Sequence, residues 1–161
     1  MKALLVCVSV SNGSTRRVAD KMAEVLGAEV VEPEAVDVDR LGDYDVVGFG
    51  SGVYLMAVHP RLRKLVARLP RGDGRKVFTF FTSGGPELPV LGYSRRIRQA
   101  LTSKGFDVVG SFSCRGLDTV GPLRLIGGVN KGRPNDEDLD RAASFASRLR
   151  DQLAHSPSES N

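Results

Sequence analysis

The residues best placed to do chemistry lie at Ser9–Thr15, where hydroxyls, one amide and one glycine follow the apolar run Ala3–Val8 and precede a helical pattern from Val18. A strand, a short polar loop and a helix N-terminus can make an anion cradle. First-turn backbone N–H groups and their partial positive charge favour a phosphate, and the hydroxyls of Ser11, Ser14 and Thr15 can add hydrogen bonds. Gly13 lets the backbone approach a ligand closely. The same stretch also reads as an ordinary strand-to-helix turn capped by Ser or Asn. Taken alone, it leaves both readings open.

Other chemical signatures fail on inspection. Gly48-Phe49-Gly50-Ser51-Gly52-Val53 is not a dinucleotide fingerprint, because Val53 holds the third glycine's place and no helix begins there. Gly127 to Gly132 has the spacing of a P-loop, but Arg133-Pro134 stands where Lys-Ser/Thr is needed. A receiver domain would need an acid at the end of the third strand, where Gly50-Ser51 stands. Cys7 lies within the first strand, too early for a phosphatase nucleophile. His59 and His155 are far apart in sequence and no cysteines cluster, so no metal site is expected. His59, beside Pro60, reads as a residue that opens a helix rather than as a base.

These residues need elements to position them, and the chain alternates accordingly. Strands are expected at Ala3–Val8, Ala28–Val31, Val46–Gly50, Val77–Phe81 and Phe106–Cys114. Helices are expected behind Val18, with Gly27 as the stop, from Pro60, around Tyr93, Ile97 and Leu101, and from an Asn135 N-cap onward. A turn or two of helix is expected around Val36–Leu41. Five strands alternating with helices predict a doubly wound α/β three-layer sandwich. In such sheets ligands sit beyond the carboxyl ends of the strands, where strand order reverses. The loops there are 9–15, 51–59 and 82–89.

Composition bounds the reading. At 161 residues, 41% hydrophobic and 26% charged, the chain suits one globular domain over 1–154, with a disordered polar tail expected at 155–161. No apolar run approaches the ~18 residues of a membrane span, and no signal peptide is evident, so a cytoplasmic location is expected. The net charge of +4 is unevenly spread: residues 1–50 carry a balance of −4 and residues 51–161 a balance of +8. Without interleaved aromatics or a known binding module, this argues against nucleic acid. Cys7 and Cys114, on strands separated by two others, stand roughly 14 Å apart at ~4.8 Å per strand, beyond disulfide reach.

Three stretches together resemble the flavodoxin family. They are Ser11-Asn12-Gly13-Ser14-Thr15 followed by Arg17-Val18-Ala19, Tyr44-Asp45 leading into Gly48 through Tyr54, and Thr82-Ser83-Gly84-Gly85. The long segment from Cys114-Arg115-Gly116 to Gly132-Arg133-Pro134-Asn135 looks like that of the family's short prokaryotic members. The resemblance spans Lys2 to about Leu153 and implies a five-stranded parallel sheet in the order 2-1-3-4-5. It implies FMN as cofactor, with the phosphate on Ser9, Ser11, Asn12, Gly13, Ser14 and Thr15. The flavin would lie against Ser51, Gly52, Val53 and Tyr54 on one side and Thr82, Ser83, Gly84 and Gly85 on the other. Aligning Gly13 and Thr15 with the family's loop leaves Val10 and Asn12 where hydroxyls are usual, with Ser9 and Ser11 able to serve from neighbouring positions. The chain has no Trp, so Tyr54 is the candidate for ring stacking.

The resemblance implies an FMN-binding electron-transfer protein with a redox partner protein, more a carrier than an enzyme with its own substrate. The alternatives are an FMN-dependent oxidoreductase acting on a quinone, a porphyrinogen or NAD(P)H, and a flavin-free interaction module. The loop Arg115–Pro134, longer than a plain connection needs, would cover the flavin's edge, form a docking surface or pack over the sheet's end.

Overall fold

The computed structural model describes residues 1–9, 13–54, 57–84, 92–115 and 132–156, with Tyr54 and Arg115 described by backbone alone. The expectations placed on Val10, Ser11, Asn12, Gly85, the Tyr54 ring, the segment 116–131 and residues 157–161 lie outside the described residues.

The strands are β1 (Ala3–Val8), β2 (Glu29–Val31), β3 (Val46–Tyr54), β4 (Ala57–Val58), β5 (Lys76–Ser83) and β6 (Asp107–Arg115). The helices are α1 (Ser14–Leu26), α2 (Pro60–Arg68), α3 (Tyr93–Ser103) and α4 (Asp136–His155). The sheet runs β2-β1-β3-β5-β6, all parallel, with the short β4 antiparallel to β3. Leaving β4 aside, this is the 2-1-3-4-5 order, whose reversal between β1 and β3 opens a crevice at the carboxyl edge.

Alternation along the strands builds two cores. Leu4, Val6, Val8, Val47, Phe49 and Phe81 face α2 and α3, while Leu5, Cys7, Phe78, Phe80, Phe112 and Cys114 face α1 and α4. Both cysteines are free and buried. Burial pushes the Cys7 thiol up to about 12 and Cys114 up to about 11, so both stay protonated and inert near neutral pH. Gly48 and Gly50 fall on the α1/α4 side of β3. A Cβ on Gly48 would come within 2.5 Å of the Phe78 ring, and one on Gly50 within 2.0 Å of the Phe80 ring. These glycines make room for two phenylalanines of the neighbouring strand.

Several boundaries differ from the sequence reading. Ser51–His59 is not a plain loop: β3 continues to Tyr54 and the chain returns as β4, with Val53 opposite Val58 and Tyr54 opposite Ala57. Helix α1 starts at Ser14 instead of near Val18, and no Ser or Asn caps it. Gly13 stands at the N-cap in a left-handed conformation (φ 68°) without a side-chain cap bond. The helical turns expected around Val36–Leu41 are two short 3-10 pieces at Pro33–Ala35 and Val38–Asp43. Helix α4 runs through His155.

Asn135 caps α4 as expected, and it does so within a reciprocal box. The Asp138 N–H donates to Asn135 Oδ1 and the Asn135 N–H to Asp138 Oδ2, both at 2.9 Å. Arg133 also donates to Asp138, 2.5 Å from Nε and 2.7 Å from Nη2. Burial opposes the charge on Asp138, but the Arg133 and Asn135 hydrogen bonds and the nearby Arg141 outweigh it, and the carboxyl titrates below its usual range. A depressed carboxylate stabilises the fold fully above the ordinary value of about 3.9 and loses that contribution as pH falls through the folded value. Asp138→Asn should therefore flatten the acid limb of a plot of urea midpoint against pH. An unchanged limb would show that other carboxylates govern acid unfolding.

Candidate functional site

The three polar segments singled out in the sequence meet at the carboxyl edge of the sheet. Register aligns Val8 with Ser51, Gly52 with Thr82 and Val53 with Ser83, so the ends of β1, β3 and β5 lie side by side. The link to α1 is direct. Thr15 Oγ1 and Thr82 Oγ1 lie 2.7 Å apart, both residues buried, and tie the first turn of α1 to the end of β5.

At the start of α1 the cradle has the features an anion needs. The first turn has no side-chain cap and no acidic residue, and Gly13 brings the backbone in through a conformation that L side chains rarely adopt. Just beyond β1, the Ser9 hydroxyl is buried with no hydrogen-bond partner. An unsatisfied buried hydroxyl carries a desolvation penalty, which an anion at the helix terminus would relieve. The observed residues therefore fit a phosphate group, as FMN would bring.

Ser51 plays a different part from the other hydroxyls. It is fully buried, donates to the Gly52 carbonyl and accepts from the His59 N–H at 3.1 Å, so it stitches the β3–β4 hairpin together. His59 opens α2 as expected: its Nδ1 accepts from the Arg61 N–H at 3.1 Å. Burial, then Arg61 and Arg63, lower the His59 pKa, keeping the imidazole neutral and able to accept. Gly52 is buried; Val53 and Gly84 are half-buried, and Thr82 and Ser83 are buried at the end of β5.

One residue escaped the sequence reading as a polar group. Tyr93, read as part of an apolar face, opens α3 just after Gly92. Its ring packs edge-on to Phe81 at 5.6 Å, and its hydroxyl is buried without a partner. The signal was there in its type, since a buried tyrosine brings a polar tip that a phenylalanine would not. Among the described residues no group of three or more His, Cys, Asp or Glu could hold a metal ion, and no helix is long and apolar enough to cross a membrane.

A doubly wound sheet whose order reverses between β1 and β3, with polar loops at that edge, defines the flavodoxin-like class of α/β proteins. The chain belongs to the flavodoxin family: the family model described as a flavodoxin domain matches residues 5–106. An uncharacterised protein of Methanocaldococcus jannaschii is 35% identical over 149 residues, covering 92% of this chain and 98% of its own. Among solved structures, a flavodoxin from the domain Archaea superposes with a TM-score of 0.67 at 20% identity, covering 96% of this chain and all of that one. The oxidised flavodoxin 2 of Bacillus cereus gives 0.70 at 18% identity, covering 94% and 99%. At those identities the two structures speak for the fold.

Proposed function

We propose that this protein binds FMN at the carboxyl edge of its sheet and serves as an electron carrier for a redox partner protein in the cytoplasm. The observation that carries the reading is the buried, unpartnered Ser9 hydroxyl just beyond β1, together with the uncapped, acid-free N-terminus of α1. The known flavodoxins it resembles in fold add to that support.

FMN, when bound, supplies the redox chemistry, and the protein supplies binding, orientation and electrostatics. The amides at the start of α1 and the hydroxyls of Ser9, Ser11, Ser14 and Thr15, with Asn12 and Gly13, would hold the phosphate. Backbone groups of Thr82, Ser83, Gly84 and Gly85, and of Gly52 and Val53, would bind the ring system, and Tyr54 is the candidate to stack on it. The Ser51 stitch keeps the β3–β4 hairpin in a fixed position beside it. The carrier reading is favoured over an enzyme with its own substrate by the flavodoxins that the fold resembles. His59, the nearest imidazole in sequence, is committed to opening α2.

The test is the visible absorption spectrum of the purified protein before and after FMN is added, followed by stepwise anaerobic reduction. Shifted flavin bands with uptake one electron at a time support the carrier. Uptake of two electrons in a single step assigns the protein to two-electron enzymes, and failure to take up FMN overturns the flavin reading altogether.

A further inference from the structure

The helices that begin at the cofactor edge divide sharply by charge. Helices α1 and α3 follow the parallel strands β1 and β5, and α2 follows the β3–β4 hairpin with His59 bonded back to Ser51, so all three start at the carboxyl edge, with Arg16 and Arg17, then Arg61, Arg63 and Lys64, then Arg95 and Arg96 at or just after their first turns. None of the three has an acid in its first turn. Helix α4 begins at the same edge with Asp136, Glu137 and Asp138. The helix dipole favours the α4 arrangement and opposes the other three, so local helix stability does not explain the cations.

Internal pairing accounts for only some of them. Arg16 pairs with Asp20 at 2.8 Å, and Arg61 with Glu34 at 2.5 Å and Glu32 at 3.3 Å. Arg63, Lys64, Arg95, Arg96 and Arg98 are exposed, and none has an ion-pair partner among the described residues. Helices α2 and α3 pack side by side, so these cations form one patch. From Arg95 and Arg98 a groove of about 800 Å³ runs down α3, away from the cofactor edge, to Phe106, Asp107 and Val108 at the amino end of β6.

We propose that the α2–α3 corner of this edge is the docking surface for an acidic protein. The patch lies where β5 leads into α3, beside the proposed flavin loop, so the use of the surface in electron transfer rests on the FMN reading, while its charge does not. Complementary charge speeds encounter and fixes orientation. Asp136 and Glu137, exposed at the start of α4 on the same edge, repel the far side of an acidic partner and so set its direction of approach. A protein fits better than a nucleic acid. The described residues expose no aromatic ring on which bases could stack, Met1 being the one large exposed hydrophobic among them, and the acidic α4 end would repel a polyphosphate backbone.

The test titrates both the apoprotein and the FMN-loaded protein with an acidic ferredoxin as probe, at low and high salt, with basic cytochrome c and a DNA duplex as comparisons. Arg95→Glu/Arg96→Glu is compared with Arg71→Glu/Arg148→Glu, which changes net charge equally but lies away from the corner. The expected result is ferredoxin binding at low salt that the corner variant weakens by about tenfold or more, that the distant variant weakens far less, and that high salt abolishes. FMN affinity should be the same in both variants. Equal losses in the two variants, no ferredoxin binding to the parent protein, or DNA or cytochrome c binding as tight as ferredoxin binding would each overturn the proposal. Ferredoxin binding by an apoprotein that takes up no FMN would uphold the surface and overturn the flavin reading alone.

Discussion

Gly50→Ala is expected to lower the stability of the fold by about 3 kcal/mol, the upper end for forcing extra volume into a packed core. In a chain of this size that corresponds to a fall in Tm of about 10 °C. The added Cβ would sit 2.0 Å from Phe80 Cε2 and 2.1 Å from its Cζ, distances that real atoms do not tolerate. The ring has little room to withdraw, because Phe80 is fully buried and packs against Phe78 with centroids 6.0 Å apart. Trimming the obstacle should help, so Gly50→Ala/Phe80→Leu should recover part of the loss despite removing buried surface. Thermal melts of the parent and both variants decide the matter. A Gly50→Ala melt close to the parent would mean that β3 does not approach β5 this closely.

The second large effect concerns the hydroxyl pair that ties α1 to β5. Thr15→Val should destabilise by about 2 kcal/mol, because it leaves the Thr82 hydroxyl buried without its partner, and Thr82→Val should do the same in reverse. Replacing both with valine removes the two polar groups together, and the double variant should be more stable than either single one. FMN binding should follow a different rule. The Thr15 hydroxyl belongs to the proposed phosphate cradle, so Thr15→Val should weaken FMN by about tenfold, near 1.4 kcal/mol, and the double variant should not regain it. Urea titrations give the stability cycle and flavin fluorescence gives the affinities. Additive destabilisation in the double variant would show that the two hydroxyls do not depend on each other.

Much of this fold was legible because its signals are local. The continuous apolar runs of parallel strands, Gly27 as a helix stop, Pro60 at the first position of α2 and Asn135 as an N-cap each carry their reason within a few residues. What the sequence hid depends on contacts across strands. Gly48 and Gly50 looked like fragments of a failed nucleotide motif, and only the pairing of β3 with β5 shows that they accommodate Phe78 and Phe80. The hairpin beyond Gly50 was obscured by its Gly/Ser content, which reads as a loop until Ser51 is seen bonded to Gly52 and His59. The start of α1 was displaced because Ser14-Thr15-Arg16-Arg17 has no apolar periodicity and its N-cap is a glycine without a capping side chain. The candidate site was legible as three loops. The Thr15–Thr82 tie, the orphaned Ser9 hydroxyl and the polar tip of Tyr93 were not.

The two ends of the sheet differ in what they offer to another chain. At one end β2 is only three residues long, too short to template a partner strand. At the other, β6 is nine residues long, and it breaks its own regularity: Val77 pairs with Val108 but Phe78 with Gly110, so Val109 is an extra residue in the edge. An irregular edge with exposed Asp107, Ser111 and Ser113 is a poor surface for flat, continuous pairing. An exposed sheet edge can pair with the edge of another copy of the same chain. The interrupted β6 therefore keeps the parallel sheet from extending edge to edge into a second copy.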